Sequence, residues 1–284
     1  MISKPYYSIP AEDFQKHSQA DFHFVQTHED LCKAFAIELV DMIKTNQKNN
    51  QMTKVILPVG PLDFRWFAER CNQEGVSCES LVIFSMDEEY DSDLKPLSTG
   101  NPLSFRGFYQ RNLIDNLDPE KRIPPEQLVM PDPENLDLVS QKLEKYGSID
   151  VTYGGAGIDG HYAFNFSPHG NPISLDEFIQ TSVHVADLPE SYIVQMAMGA
   201  TAGDLEVVPT KGCSLGIREL LSAKMLHLPF FRPWHAGVLR RALFGPVTPE
   251  FPITVVQLHP NVKVTITAPA AALPSFDTLQ NVGK

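Results

Sequence analysis

The sequence has little that would mark a disulfide-stabilised, metal-clustered or membrane protein. It contains four cysteines in 284 residues, and no two of them form a C-x-x-C pair. That spacing argues against a zinc ribbon or a redox dithiol and is typical of reduced thiols. No apolar run approaches the roughly 18 residues that a spanning helix needs, and the first ten residues lack the apolar stretch of a signal peptide. We therefore expect a cytoplasmic protein without a membrane partner.

Positive charge is also scarce. The formal net charge is −12 at pH 7, so the surface should repel the phosphates of nucleic acid, and we expect no nucleic-acid partner. A small phosphorylated substrate stays compatible with this charge, because a pocket can be locally positive inside an acidic protein. With 43% hydrophobic residues, the chain is long enough to bury a large core.

Short apolar runs alternate with amphipathic segments along the chain. Three runs predict buried strands: residues 54–59, 81–86 and 149–155. Helices are predicted to begin at Thr27, whose hydroxyl can cap the amides ahead, and to cover residues 60–71, 103–114 and 135–146. This alternation predicts a Rossmann-like α/β fold, doubly wound, with a mainly parallel sheet and helices on both faces.

The remaining segments are less regular. Residues 1–26 look like an irregular N-terminal extension, and residues 27–284 like one α/β domain. Further elements are expected as follows: a strand at 191–198, a helix at 215–223, a strand at 224–228, a helix at 234–244 and a closing strand at 262–268.

Three loops are candidates for a binding site, because ligands of such sheets lie beyond the carboxyl ends of the strands. They cover residues 59–61, 87–89 and 154–161. In the last of them, four glycines let backbone amides approach a ligand. The spacing also fits G-x-G-x-x-G, but no convincing acidic residue at a strand end follows about 20 residues on, which disfavours a dinucleotide site.

Two of these loops carry side chains suited to proton transfer. Asp159 lies two residues from His161, so its carboxylate can orient the imidazole and raise its basicity. Alternatively, Asp159 caps a helix and His161 is simply exposed. Asp87, Glu88 and Glu89 follow a buried strand, where like charge and burial raise one pKa, as suits a general base. A solvated acidic loop or a magnesium site are the alternatives.

Several segments, in this order, resemble the glucosamine-6-phosphate deaminase/isomerase family. They are FSMDEEY at 84–90, SFRGFYQRNLI at 104–114, YGSIDVTYGGAGIDGHYAFN at 146–165 and GPVTPEFPITVVQLHP at 245–260. The resemblance covers roughly residues 28–270. The related 6-phosphogluconolactonases share a G-x-D-G-H turn, but not the A-F-N that follows it here.

The resemblance implies a sugar-phosphate isomerase or deaminase that needs neither a metal nor an organic cofactor. Asp87 would move a proton between C1 and C2 of the sugar, His161 would open the sugar ring, and Asp159 would orient His161. The expected partner is a small sugar phosphate, and a homo-oligomer is compatible with the resemblance. The candidate substrate-binding residues are Gly60, Glu88, Gly154, Gly155, Gly157, Arg232 and His235.

The sequence departs from the family pattern at three places. Phe166 stands where the family has a catalytic glutamate after A-F-N. The phosphate loop is reduced to Pro58-Val59-Gly60-Pro61, and the phosphate-binding lysine falls near His235, with Arg232 as a substitute. These departures predict a changed substrate, a changed reaction or lost catalysis. Two alternatives therefore stay open: a non-catalytic sugar-phosphate sensor and a 6-phosphogluconolactonase-like hydrolase.

Overall fold

The computed structural model describes residues 5–168 and 170–274. Its strands are β1 Asp21–Val25, β2 Thr53–Leu57, β3 Leu81–Ser85, β4 Asp87–Tyr90, β5 Leu128–Val129, β6 Val151–Tyr153, β7 His184–Asp187, β8 Lys211–Ser214, β9 Met225–Phe230 and β10 Val262–Thr267. Its α-helices are α1 Phe14–His17, α2 His28–Lys48, α3 Arg65–Glu74, α4 Phe105–Asn112, α5 Leu138–Tyr146, α6 Leu175–Ile179, α7 Glu190–Ala200, α8 Ile217–Leu220, α9 His235–Phe244 and α10 Ala268–Ala271. Within the described ranges, no helix is both long and apolar enough to cross a bilayer.

The main sheet has seven strands, all parallel, in the order β1-β10-β9-β6-β2-β3-β5. From β2 the chain first adds β3 and β5 on one side and then β6, β9 and β10 on the other. The direction therefore reverses between β2 and β6, which is where sheets of this kind form their ligand crevice. A smaller antiparallel sheet has the order β4-β8-β7.

Helices cover both faces of the main sheet. Successive side chains of a strand point to opposite faces, so Ile56 packs into one core while Val55 and Leu57 pack into the other. Helices α2 and α3 cover the second of these faces, and α5 and α9 cover the first. The predicted fold class, a doubly wound α/β sheet, is confirmed.

Helix α2 begins as predicted. The Thr27 side chain accepts a hydrogen bond from the Asp30 backbone amide at 3.1 Å, and the Asp30 carboxylate accepts one from the Thr27 amide at 3.0 Å. This reciprocal capping box satisfies donors that the first helical turn leaves unpaired.

The prediction of a strand over residues 191–198 is wrong, because these residues lie in helix α7. The prediction rested on an apolar run, which does not by itself distinguish a buried strand from a helix. The burial pattern is helical: Tyr192 and Ala197 are buried, while Val194 and Met198 are exposed. Pro189, in an extended conformation, precedes the first turn.

The prediction that residues 1–26 are irregular is wrong in part. Residues 21–25 form β1, which pairs in parallel with β10 and is an edge of the main sheet. Phe14, just before it, is fully buried in the core. Strand β10 is therefore the last strand in sequence but lies inside the sheet.

Arg240 in α9 makes hydrogen bonds to backbone carbonyls near both ends of the described chain. Its guanidinium is fully buried and donates to the carbonyls of Ile9, Ala236, Ala271 and Ala272 at 2.8 to 3.0 Å. Burial lowers the pKa of Arg240 to about 10. The four carbonyls take the place of a carboxylate partner as acceptors for its donors.

We expect Arg240→Ala to lower the free energy of unfolding by about 3 kcal/mol, because it leaves buried carbonyls unpaired and opens a cavity. Urea denaturation measures this loss. The matched control is Arg241→Ala: the Arg241 guanidinium lies over the Phe251 ring, 3.9 Å from its centroid, and such a contact contributes about 1 kcal/mol. Equal losses in the two variants would contradict a structural role for the buried guanidinium.

Candidate active site

A cleft opens at the carboxyl ends of four adjacent strands, β9, β6, β2 and β3. Its lining comes from the segments that follow them, residues 231–235, 155–161, 58–61 and 86–87. The cleft therefore lies across the point where strand order reverses, as expected for this fold. The loop after β9 was not among the three loops singled out from the sequence, although Arg232 and His235 were.

Helix α7 forms one wall of the cleft. Tyr192, Gln195 and Met196 from this helix line it, together with Phe105 and Phe164. These α7 residues were missed because the segment was predicted as a strand. Their spacing, at positions i, i+3 and i+4, is the signal that could have found them, since it places three side chains on one face of a helix.

His161 is held by Asp159. The Nδ1 atom of His161 lies 2.7 Å from Asp159 Oδ1, and the His161 backbone amide donates to the same oxygen at 3.0 Å. Burial opposes ionisation of Asp159, but hydrogen bonds from His161 and Ser191 outweigh it and hold the pKa of Asp159 well below its usual range. An ionised carboxylate only accepts, so Nδ1 carries a proton and Nε2 is left for the cleft.

Two further residues fix this arrangement. Ser191, in the first turn of α7, donates from Oγ to Asp159 Oδ2 at 2.5 Å. Gly157 lies so close to the ring that a Cβ there would be 1.9 Å from His161 Cε1. Any other residue at position 157 would displace the imidazole. Ser191 was missed from the sequence, whereas the Gly157 turn was predicted.

Asp87 begins strand β4 and lies against the cleft, only 7% exposed. Burial, followed by the charges of Glu89 and Glu88, raises the pKa of Asp87 well above its ordinary value. A carboxyl with a high proton affinity is a stronger base than an exposed one. This environment suits removal of a proton from a carbon next to a carbonyl.

Two predicted binding residues lie outside the cleft lining. The Glu88 carboxylate accepts from the backbone amides of Phe105 and Arg106, both at 2.8 Å, and so caps helix α4. Gly154 lies behind the wall, where a Cβ would be 2.5 Å from the Tyr162 ring. Their positions indicate structural roles, which local sequence could not separate from binding because both residues adjoin the site.

The cleft lining carries one cation. Gly60, Gly155 and Gly157 line the cleft, and Gly60 has a φ of +103°, which favours glycine. Arg232 is the only arginine or lysine among the described lining residues. Its guanidinium lies 5.0 Å from the Phe231 ring centroid, and burial lowers the pKa of Arg232. A bound anion would relieve that cost of burying the charge.

His235 lines the cleft as a neutral ring. Its Nδ1 accepts from the amides of Phe231 at 2.9 Å and Arg232 at 3.1 Å, and its Nε2 lies 3.3 Å from the Ala156 carbonyl. Burial, joined by the charge of Arg232, lowers the pKa of His235 to about 3. His235 therefore acts as a hydrogen-bond acceptor, and its contacts with the amides of Phe231 and Arg232 position the loop that carries Arg232.

Phe166 packs against the catalytic candidate His161. The two ring centroids are 5.0 Å apart with an interplanar angle of 62°. Phe166 also contacts the rings of Phe164 and Tyr192. No carboxylate reaches His161 from position 166. Within residues 5–168 and 170–274, no group of three or more His, Cys, Asp or Glu side chains is arranged to hold a metal ion.

The sequence matches no protein-family model. It is 26% identical over 264 residues to the glucosamine-6-phosphate deaminase of Thermoanaerobacter pseudethanolicus, covering 90% of this chain and 95% of that protein. It is 28% identical over 213 residues to the enzyme of the same name from Lachnoclostridium phytofermentans, covering 73% of this chain and 81% of the relative. The resemblance stated from the motifs is thus confirmed over most of the chain.

Solved structures show the same fold. A monomeric glucosamine-6-phosphate deaminase superposes with a TM-score of 0.74 at 23% identity, covering 89% of this chain and all of that one. A 6-phosphogluconolactonase from Shewanella baltica superposes with a TM-score of 0.62 at 15% identity, covering 88% of this chain and 98% of that one. At identities this low, the superpositions establish a common fold only. The reaction has to be inferred from the residues of the cleft.

Proposed function

Because the chain resembles glucosamine-6-phosphate deaminases in sequence and fold, we propose that it is an enzyme that isomerises a sugar phosphate. One observation carries the proposal: a buried, high-pKa carboxyl, Asp87, shares a cleft with a histidine, His161, that an ionised Asp159 holds in place. Base and acid thus lie where the fold binds ligands.

His161 would open the sugar ring. Its Nε2 is left for the cleft, because Nδ1 donates to Asp159. It would accept the proton of the anomeric hydroxyl and return a proton to the ring oxygen, so that the C1–O5 bond breaks and C1 becomes a carbonyl. Asp159 would stabilise the charged imidazole between these two transfers.

Asp87 would then move a proton between two carbons. It would remove the proton from C2, next to the C1 carbonyl, and give it back at C1, which converts an aldose into a ketose through an enediol. Burial raises the proton affinity of Asp87, which favours removal of this weakly acidic proton. Both transfers at carbon use the same carboxyl. As the C2 carbonyl forms, O2 loses a proton and O1 gains one, and His161, which lines the same cleft, would carry this proton between the two oxygens.

The phosphate would lie beside Arg232. The loop of residues 58–61 and Gly155 line the same cleft, and Arg232 contributes a positive charge. A guanidinium donates two parallel hydrogen bonds to a phosphate, which fixes the sugar relative to Asp87.

Two measurements test this proposal. A thermal-shift screen over hexose and amino-sugar phosphates should find a stabilising ligand, and that ligand should take up solvent deuterium at C2.

Arg232→Ala should weaken binding of this ligand about 10-fold to 100-fold, since a hydrogen bond to a charged group contributes about 1.5–3 kcal/mol. Arg65→Ala is the control, because Arg65 is exposed and pairs with Asp63. Binding with equal affinity by both variants would exclude Arg232 from the phosphate site.

A non-catalytic sugar-phosphate sensor is the second candidate, favoured by Phe166 and by the short phosphate loop. A sensor requires the binding cleft but not proton transfer. A sugar phosphate that stabilises the protein and never takes up deuterium would decide for the sensor.

A further inference from the structure

Glu89 is a buried carboxyl that the proposed reaction does not use. It is 0% exposed, and its Oε1 accepts from the Tyr192 hydroxyl at 2.6 Å. Its Oε2 is buried and has no hydrogen-bond partner among the described residues. Leaving a buried carboxylate oxygen unpaired is costly, so the position of this group calls for a reason beyond packing.

The geometry of β4 brings Glu89 to Asp87. Residues two apart in a strand share a face and lie about 7 Å apart, so Asp87 and Glu89 point the same way while Glu88 points to the other side and caps α4. Strand β8 fixes this register, pairing Asp87 with Ser214 and Glu89 with Gly212.

Among the residues that the structure describes, no cation compensates the two carboxyls. The titratable or charged groups near them are Glu88, on the other side of the same strand, Tyr192 from α7, Tyr109 from α4 and His161, which lines the same cleft as Asp87. The charge of Arg106 acts on Glu88, and Lys211 of β8 pairs with Asp187. Two buried like charges this close repel strongly, so both carboxyls cannot ionise freely.

We propose that Glu89 is a positioning residue for Asp87: the two carboxyls titrate as one pair that keeps a proton at neutral pH, with Tyr192 anchoring the Glu89 end. The consequence rests on the proposed function. When the single proton of the pair lies on Glu89, Asp87 is ionised and can take the proton from C2 and return it to C1. In agreement, burial raises the pKa of Glu89 to about 8.

A double-mutant cycle tests the pairing without any activity. The variants are Asp87→Asn, Glu89→Gln and the double substitution, and the readout is Tm at pH 5 and at pH 8.5. A carboxyl whose pKa is higher in the folded than in the unfolded chain makes the folded state lose stability as pH rises above the pKa of the unfolded chain. Each single variant removes one such carboxyl, so its Tm should exceed that of the parent at pH 8.5. Either substitution alone relieves the repulsion. At pH 8.5 the double variant should therefore gain less Tm than the sum of the two single gains, whereas at pH 5 its change in Tm should equal that sum. Additive gains at both pH values would overturn the proposal.

The second readout concerns the reaction. In Glu89→Gln the neighbouring charge is gone, so Asp87 ionises at lower pH, and the ratio of deuterium-uptake rates at pH 6 and pH 8 should rise. Gln keeps the hydrogen bond with Tyr192, so a purely structural role would leave this ratio unchanged. If no sugar phosphate takes up deuterium, the proposed function fails, while the stability cycle still decides the pairing.

Discussion

Asp87→Asn is expected to lower deuterium uptake at C2 by a factor on the order of 10²–10⁴, because an amide cannot accept the proton. The same variant should be more stable than the parent protein at pH 8. Burial and the neighbouring carboxyls raise the pKa of Asp87, so the parent loses stability as pH rises from the unfolded pKa of Asp towards the folded one, and asparagine removes that loss. Uptake is measured by NMR and stability by urea denaturation.

Glu88→Gln is the matched control for this substitution. The Glu88 carboxylate accepts from two backbone amides at the start of α4, and Gln would place a donor against one of them. We expect this variant to lose about 1–3 kcal/mol of the free energy of unfolding while uptake falls much less than in Asp87→Asn. Parallel losses of stability and uptake in Asp87→Asn would contradict its role as the base.

The elements that local sequence could predict are those with strong local signals. Strands β2 and β3 contain the apolar runs Val55–Leu57 and Leu81–Phe84, and α2 begins at a Thr27–Asp30 capping box. The contact between Asp159 and His161 spans two residues, so it could be foreseen from spacing alone. In each case the interacting groups are neighbours in the chain, and short-range geometry decides the outcome.

The contacts that were missed join residues far apart in sequence. Ser191 reaches Asp159 across 32 positions, and Tyr192 reaches Glu89 across 103. Both contacts depend on where α7 packs against the small sheet and the glycine turn, which no local pattern encodes. The prediction of a strand at α7 also prevented their identification. A strand places every second residue on one face, whereas the helix places Tyr192, Gln195 and Met196 on one face.

The neutral state of His235 could not be foreseen for a different reason. Its position in the chain suggested a replacement for a phosphate-binding lysine, and a histidine can carry charge when it is exposed. Burial at 2% exposure and two backbone amides donating to Nδ1 fix it as an acceptor instead. The identity of a residue gives its possible charges, and its tertiary environment selects among them.

Ammonia release from glucosamine 6-phosphate should be weak, because Phe166 replaces the family's glutamate beside His161. The Phe166 ring can neither accept a hydrogen bond nor carry charge, which leaves Asp159 and its partner Ser191 to support the imidazole. Loss of a contributor to general acid catalysis reduces the rate by a factor on the order of 10²–10⁴. Asp87 is unaffected, so deuterium uptake at C2 should exceed ammonia release.

Phe166→Glu should therefore raise ammonia release about 100-fold, since one contributor to acid–base catalysis accounts for about 10²–10⁴ in rate, and should change deuterium uptake much less. The Phe166 and His161 ring centroids are 5.0 Å apart, so a glutamate at position 166 would place its carboxylate beside the imidazole. The variant gives up the contacts with the Phe164 and Tyr192 rings, so Phe166→Leu is the control for lost packing, and Phe166→Gln separates hydrogen bonding from charge. Rapid ammonia release by the parent protein would refute the role assigned to the missing glutamate. An equal gain in Phe166→Leu would show that space, rather than the carboxylate, limits deamination.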